Sequence, residues 1–157
     1  MRKLSLVALC LFVLAIVATA QEKIDSKWNC SKPSDNKSFD VPDAPNHSYV
    51  LAQGTCTATE SSDGEKTGTY TEFQDKWKEK FTNHGRFVTT TDSGDKLIYS
   101  YEGSGPADTK KPASNKWKIV DGTGKHKGMK ASGSCSGERH DDGSSDWTCT
   151  GMTTAKK

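Results

Sequence analysis

Aliphatic residues are scarce in this chain. After residue 20, Leu, Ile and Val together occur only nine times. An aliphatic core of that size is marginal for one domain, and composition alone would point toward disorder. Charge of one sign is also lacking. The formal net charge of the 157 residues is +2, and Arg2 and Lys3 account for it; residues 21–157 carry 20 basic and 20 acidic side chains. That balance removes the electrostatic case for a nucleic-acid or anionic-membrane partner. No cysteine pair has the short Cys-x-x-Cys spacing of a zinc site, so no metal is expected. No serine sits in a Gly-x-Ser-x-Gly elbow. The Gly122-Thr123-Gly124-Lys125 run lacks both the phosphate-loop and the dinucleotide spacing, so no cofactor is expected and a glycine-rich turn is the better reading.

The N-terminus is apolar. Arg2 and Lys3 precede an apolar run from Leu4 to Val17, and Ala18-Thr19-Ala20 is a small-x-small site before Gln21. This is the layout of a secretory signal peptide cleaved after Ala20. The run is shorter than the ~20 residues of a spanning helix, so no stable membrane insertion is expected after cleavage. Cys10 leaves with that segment, and Cys30, Cys56, Cys135 and Cys149 remain. An even number in an exported chain, periplasmic or extracellular, predicts two disulfides. Asn29, Asn36 and Asn46 each open a glycosylation sequon, which matters only in a eukaryotic secretory pathway.

Twelve aromatic residues after position 20 offset the aliphatic deficit, and Thr recurs at alternating positions that favour strands. Residues 21–46 are polar and interrupted by Pro33, Pro42 and Pro45; they read as an extended arm anchored by Trp28 and Phe39. Residues 47–157 read as a β domain. His47 to Glu60 is a long strand, turning at Asp63-Gly64. Phe73, Trp77 and Phe81 recur every fourth residue, a spacing shared by helix and strand, and are read as a strand to about Trp77 followed by an irregular or helical stretch to Gly85. Arg86–Thr91 and Lys96–Glu102 form a hairpin with Leu97, Tyr99 and Tyr101 on one face. A strand from Trp117, the glycine bend from Gly122 to Gly128, a strand over 130–140 and a last strand over 145–154 follow. Seven or eight antiparallel strands point to an all-β barrel or sandwich. The run Gly54-Thr55-Cys56, Asp63-Gly64, Thr69-Tyr70-Thr71 is echoed 79 residues later by Gly133-Ser134-Cys135, Asp142-Gly143, Thr148-Cys149-Thr150, as though two hairpins share one design. Cys135 and Cys149 flank the last turn, which favours pairing them and leaves Cys30 with Cys56; three connectivities are open in principle.

Trp117, Ile119 and Val120, then Gly122-Thr123-Gly124-Lys125-His126-Lys127-Gly128-Met129, then Ser132-Gly133, resemble the hallmark of the allene oxide cyclase-like and dirigent-like barrels. The preceding stretch from Ser93 to Gly103 is similar to the strand that usually comes before it. The resemblance spans roughly residues 49–150 and is firmest over 92–137. It implies a closed antiparallel barrel of about eight strands with a central cavity, allene oxide cyclase-like or calycin-like. His126 stands where an aromatic is usual. Neither the catalytic residues of the plant cyclases nor the dirigent acidic pocket is matched, so neither activity carries over.

Tyr99, Tyr101, Trp117 and Trp147 fall on strands of that barrel and are the candidate lining of a site for a small apolar or aromatic ligand. The rival reading is that these rings fill the core themselves. Glu138, Arg139, His140, Asp141 and Asp142 gather acid, base and imidazole at a hairpin end, where a solvated tip is the ordinary explanation. The expected function is non-enzymatic ligand binding. The alternatives are a cyclase- or isomerase-like enzyme using the same cavity, or an interaction protein with a filled barrel. Oligomeric state is not legible in the sequence.

Overall fold

A computed structural model describes residues 21–154; the signal-peptide reading of residues 1–20 lies outside the described residues. Nine strands follow in order: β1 (Lys23–Cys30), β2 (Asp35–Asp40), β3 (Ser48–Ser61), β4 (Glu65–Lys76), β5 (Lys80–Thr91), β6 (Lys96–Pro106), β7 (Ala113–Gly122), β8 (Ala131–Arg139) and β9 (Ser145–Thr153). All neighbours pair antiparallel, in the order β1-β9-β8-β7-β6-β5-β4-β3-β2, and β1 pairs again with β3. The sheet is therefore a closed barrel of eight strands, with β2 outside it along the first half of β3. Closure removes the barrel's free edges, which a chain this poor in aliphatics could not otherwise cover.

Alternation assigns the faces. On β3, Val50, Ala52, Gly54 and Cys56 are buried while Tyr49, Leu51, Gln53 and Thr55 are exposed. On β6, Leu97 and Tyr99 are buried inside the barrel. One cluster of the core joins Ile24, Leu97, Tyr99, Trp117, Ile119 and Ala131; a second joins Trp28, Cys30 and Cys56, with Tyr70, Phe87 and Trp147 packed against it. Space for the rings comes from glycine on adjacent strands. A Cβ at Gly85 would stand 2.7 Å from the Tyr101 hydroxyl, and the indole of Trp117 occupies the side-chain space of both Gly133 and Gly151.

The disulfides join Cys30 to Cys56 and Cys135 to Cys149, each pair directly opposite in its ladder. The first ties β1 to β3 where the barrel closes; the second links β8 to β9 within one hairpin. The two echoed hairpins, β3–β4 and β8–β9, stand on either side of β1. In both, a glycine and a cysteine two residues apart face inward.

The two ends of the barrel differ. The β3–β4 and β5–β6 turns and the β7–β8 connection share one end. There Leu97 and Thr89 are wholly buried, and the 3-10 turn Gly124–His126 folds back so that His126 is buried. Gly124 and Gly128 have φ of 53° and 74°, the left-handed conformation that lets this bend return to the sheet. Thr123 fixes the bend to β6 by accepting from the Lys96 N–H at 2.7 Å through its Oγ1. The opposite end carries the β1–β2, β4–β5, β6–β7 and β8–β9 connections and is open.

Two sequence readings need correction. Residues 21–46 are not one arm beside the barrel. Lys23–Cys30 is a barrel strand with Ile24, Ser26, Trp28 and Cys30 buried, and Asp35–Asp40 is the outer strand. The alternation was obscured by an inward Ser26 and by Pro33, which falls between the two strands. The stretch after Trp77 is not irregular or helical either. Residues 77–79 form a tight connection and β5 starts at Lys80. Phe73 then faces outward and Phe81 inward, so their shared spacing does not mark a shared face. Asp75 lies on the outer face and binds the buried His47 at 2.9 Å.

Candidate functional site

A cavity of about 270 Å³ runs inward from the open end. Eight aromatic side chains line it: Trp28, Tyr70, Phe81, Phe87, Tyr99, Tyr101, Trp117 and Trp147. Each sits on an inward position of its strand, and several have a glycine beside them. Trp28 meets Phe87 edge-on at 4.9 Å, and Tyr99 meets Trp117 edge-on at 5.6 Å, the geometry that ring quadrupoles favour. All four half-cystines also reach the wall.

The polar groups are few and layered. Deepest is Glu65, 2% exposed. Its Oε1 accepts from the Tyr99 hydroxyl at 2.7 Å and from Thr89 Oγ1 at 2.6 Å, while Ser61 Oγ donates to Oε2 at 3.3 Å. Burial raises the Glu65 carboxyl above the usual glutamate range, and these hydrogen bonds only partly oppose it. Burial, then the neighbouring Glu65, pushes Tyr99 upward as well.

Midway up the wall, Glu72 accepts from Tyr101 at 3.0 Å, from Asn83 Nδ2 at 2.8 Å and from Gln74 Nε2. Burial holds the Tyr101 phenol well above its ordinary value, reinforced by Glu72. Tyr70 is pushed up to about 12 by burial and then by Glu72. These phenols are therefore hydrogen-bond donors at neutral pH.

At the rim, Arg139 lies with its guanidinium carbon 4.8 Å from the centre of the Phe81 ring. Its Nη2 donates to the carbonyls of Pro106 (2.6 Å), Asp108 (2.9 Å) and Lys111 (3.4 Å), clasping the β6–β7 loop. Desolvation lowers its pKa. Three lining residues each carry a buried polar atom with no protein partner: Asn115 Oδ1, Trp117 Nε1 and Arg139 Nε.

The structure places Tyr99, Tyr101, Trp117 and Trp147 together on this wall. Sequence reasoning missed the other four rings and the two glutamates. Glu72 was findable: Gly68, Tyr70, Glu72 and Gln74 share one face of β4 by simple alternation, yet an acidic residue is not ordinarily assigned inward. Of the acid–base run 138–142, Arg139 turns toward the interior on strand β8, and His140 stands at the cavity rim, paired with Asp146 at 2.9 Å. No group of three metal-ligating side chains occurs among the described residues.

No family model matches the chain, and no curated protein matches it by sequence. Solved structures do match. A pterocarpan synthase dirigent protein is 13% identical, with 88% of this chain and 97% of that one covered and a TM-score of 0.50. A conserved protein of unknown function from Rhodopseudomonas palustris is 14% identical over 85% of this chain and 98% of its own, with a TM-score of 0.52. A β-barrel-like protein from Acinetobacter baumannii AYE is 13% identical over 85% and 96%, at 0.51. At such identities the likeness is one of fold alone: the barrel fold is shared with these three solved structures, a dirigent protein among them.

Proposed function

We propose that this protein is an exported, non-enzymatic barrel that binds a small aromatic molecule inside its sheet. The observation that carries the reading is the cavity itself: about 270 Å³, open at one end and walled by eight rings. A planar apolar body gains by leaving water for such a wall, and a few fixed polar groups orient it. The size is near the lower end of ordinary ligand pockets, which limits the guest to a small molecule. The open interior weighs against a filled barrel. Export accords with the two disulfides, which persist in oxidising compartments, and with the apolar N-terminal segment.

One observation favours the enzymatic alternative. Glu72 faces the cavity with a phenol, a carboxamide and a second carboxamide fixed upon it, an arrangement able to hold a proton acceptor near a guest. A cyclase- or isomerase-like reaction would be a proton transfer at that carboxylate. Native mass spectrometry of protein purified from its own source tests the binding reading. A retained small-molecule mass, lost on denaturation, is expected. Ligand-free protein that also fails to bind any member of a small aromatic library would overturn it. Recovery of an isomerised library member would favour the enzyme.

A further inference from the structure

The two inward carboxylates have no cationic partner. Every donor to Glu65 and Glu72 is a neutral hydroxyl or carboxamide. Among the described residues, no Lys, Arg or His nitrogen lies within ion-pairing distance of either; the six ion pairs all involve other acids. A carboxylate inside a protein is ordinarily matched by a cation, because its charge is costly to remove from water. Glu65 is reached by no cation and sits at the buried base. Glu72 lies higher, half-buried on the open wall.

The ring faces of the wall have the same electrostatic sign. Aromatic faces carry the negative end of their quadrupole and attract ammonium groups. The lining residues with a basic group are Arg139 and His140. His140 is paired with Asp146, and Arg139 spends Nη2 on three loop carbonyls while its cationic plane lies over Phe81. Asn115 contributes a buried acceptor oxygen with no donor. Trp117, 7% exposed, contributes a buried indole N–H with no acceptor.

We propose that the cavity selects a cationic guest, an aromatic or short aralkyl amine whose ammonium group sits against Glu72 among the rings. Resting on the binding reading above, this adds the sign of the ligand's charge. Asn115 Oδ1 supplies a further acceptor for the ammonium protons. Trp117 Nε1 and Arg139 Nε supply donors for an oxygen elsewhere on the guest. An anionic guest would set its charge against Glu72 and the ring faces, and a neutral one would leave the carboxylate uncompensated.

The test uses the disulfide-intact chain from residue 21 and three probes of similar size: 2-phenylethylamine, 2-phenylethanol and 3-phenylpropionate, titrated calorimetrically at neutral pH. The amine should bind about tenfold more tightly than the alcohol, with the acid weakest. Glu72→Gln should abolish the preference, bringing the amine to the level of the alcohol. Equal or tighter binding of the alcohol or the acid overturns the cation preference while the cavity remains a binding site. Binding of none of the three overturns the binding reading with it. If Glu72→Gln does not fold, the ranking of the three probes on the unsubstituted chain decides alone.

Discussion

The indole of Trp147 covers Gly137, its direct partner across the β8–β9 ladder, and fills the space a side chain at Gly137 would need. The same arrangement recurs where Trp117 covers Gly133 and Gly151. Rings and glycines thus share one volume, and the sheet closes because bare backbone lies beside each large side chain. Gly137→Ala is expected to lower stability by about 1–3 kcal/mol, the usual cost of overpacking. Ser136→Ala, one residue away on the exposed face, should change it by no more than about 0.5 kcal/mol. Urea denaturation followed by tryptophan fluorescence measures both; equal effects would mean the indole is free to move aside.

The Cys30–Cys56 bridge fastens the first barrel strand to β3 and closes a separation of 26 residues, against 14 for Cys135–Cys149. Replacing the first pair by alanines should cost about 2–4 kcal/mol, and slightly more than replacing the second, since the longer loop regains more freedom on unfolding. Denaturation midpoints of the two double variants give the order. A larger loss from the β8–β9 pair would show that β1 holds its place without the bridge.

Much of this architecture is legible in the sequence, for identifiable reasons. Leu97, Tyr99 and Tyr101 alternate cleanly with Lys96, Ile98 and Ser100, and their turn is marked by Ser93-Gly94, so β5–β6 is plain. The disulfide pairing follows from the turn between Cys135 and Cys149. Strand β1 was hidden because its outward residues are charged and one inward residue is serine, a pattern that looks like a polar linker. Bulges that leave Thr59 on β3, Lys66 on β4 and Val120 on β7 without a ladder partner also break the strict period of two on those strands. Glu72 and Glu65 were missed for different reasons: alternation places Glu72 inside, whereas Glu65 is out of phase with it and is turned inward by the bulge at Lys66. The partners that make each inward acid tolerable come from strands distant in sequence, Thr89 and Tyr99 for Glu65, Asn83 and Tyr101 for Glu72.

Glu65 gives a test of that point. Glu65→Gln preserves an oxygen for Tyr99 and Thr89 and removes a charge that burial disfavours, so it should fold and be at least as stable at neutral pH. Glu65→Ala leaves two buried hydroxyls without an acceptor and should cost about 2–4 kcal/mol. The sign with pH follows from the raised carboxyl: its stabilising contribution is complete below the ordinary glutamate value near 4.5 and is lost as pH rises through the higher folded value. The gain of Glu65→Gln over the parent should therefore shrink on acidification, and thermal midpoints at several pH values measure it. A gain that grows instead would place the carboxylate in a favourable charged state.

His47 behaves oppositely to an ordinary buried imidazole. It is 4% exposed, bonded to Asp43 and Asp75, and stacked on Trp77 at 3.9 Å. The bond to Asp43, then Asp75, raises its pKa above 6.5 against the opposing effect of desolvation. Its contribution is complete below that value and is lost as pH rises through the folded value. The parent should thus lose stability relative to His47→Asn between about pH 6.5 and the folded midpoint. The imidazole chemical shifts give that midpoint directly; a value below 6.5 would contradict the clasp.

The central claim is that a small aromatic guest enters the barrel, and the four tryptophans separate inside from outside. Trp28, Trp117 and Trp147 line the cavity, while Trp77 stacks on His47 at the outer surface. Indole N–H resonances followed by ¹H–¹⁵N NMR during titration with 2-phenylethylamine or 2-phenylethanol should show the first three shifting together and Trp77 unmoved. Shifts confined to Trp77, or none with either probe, would contradict the account.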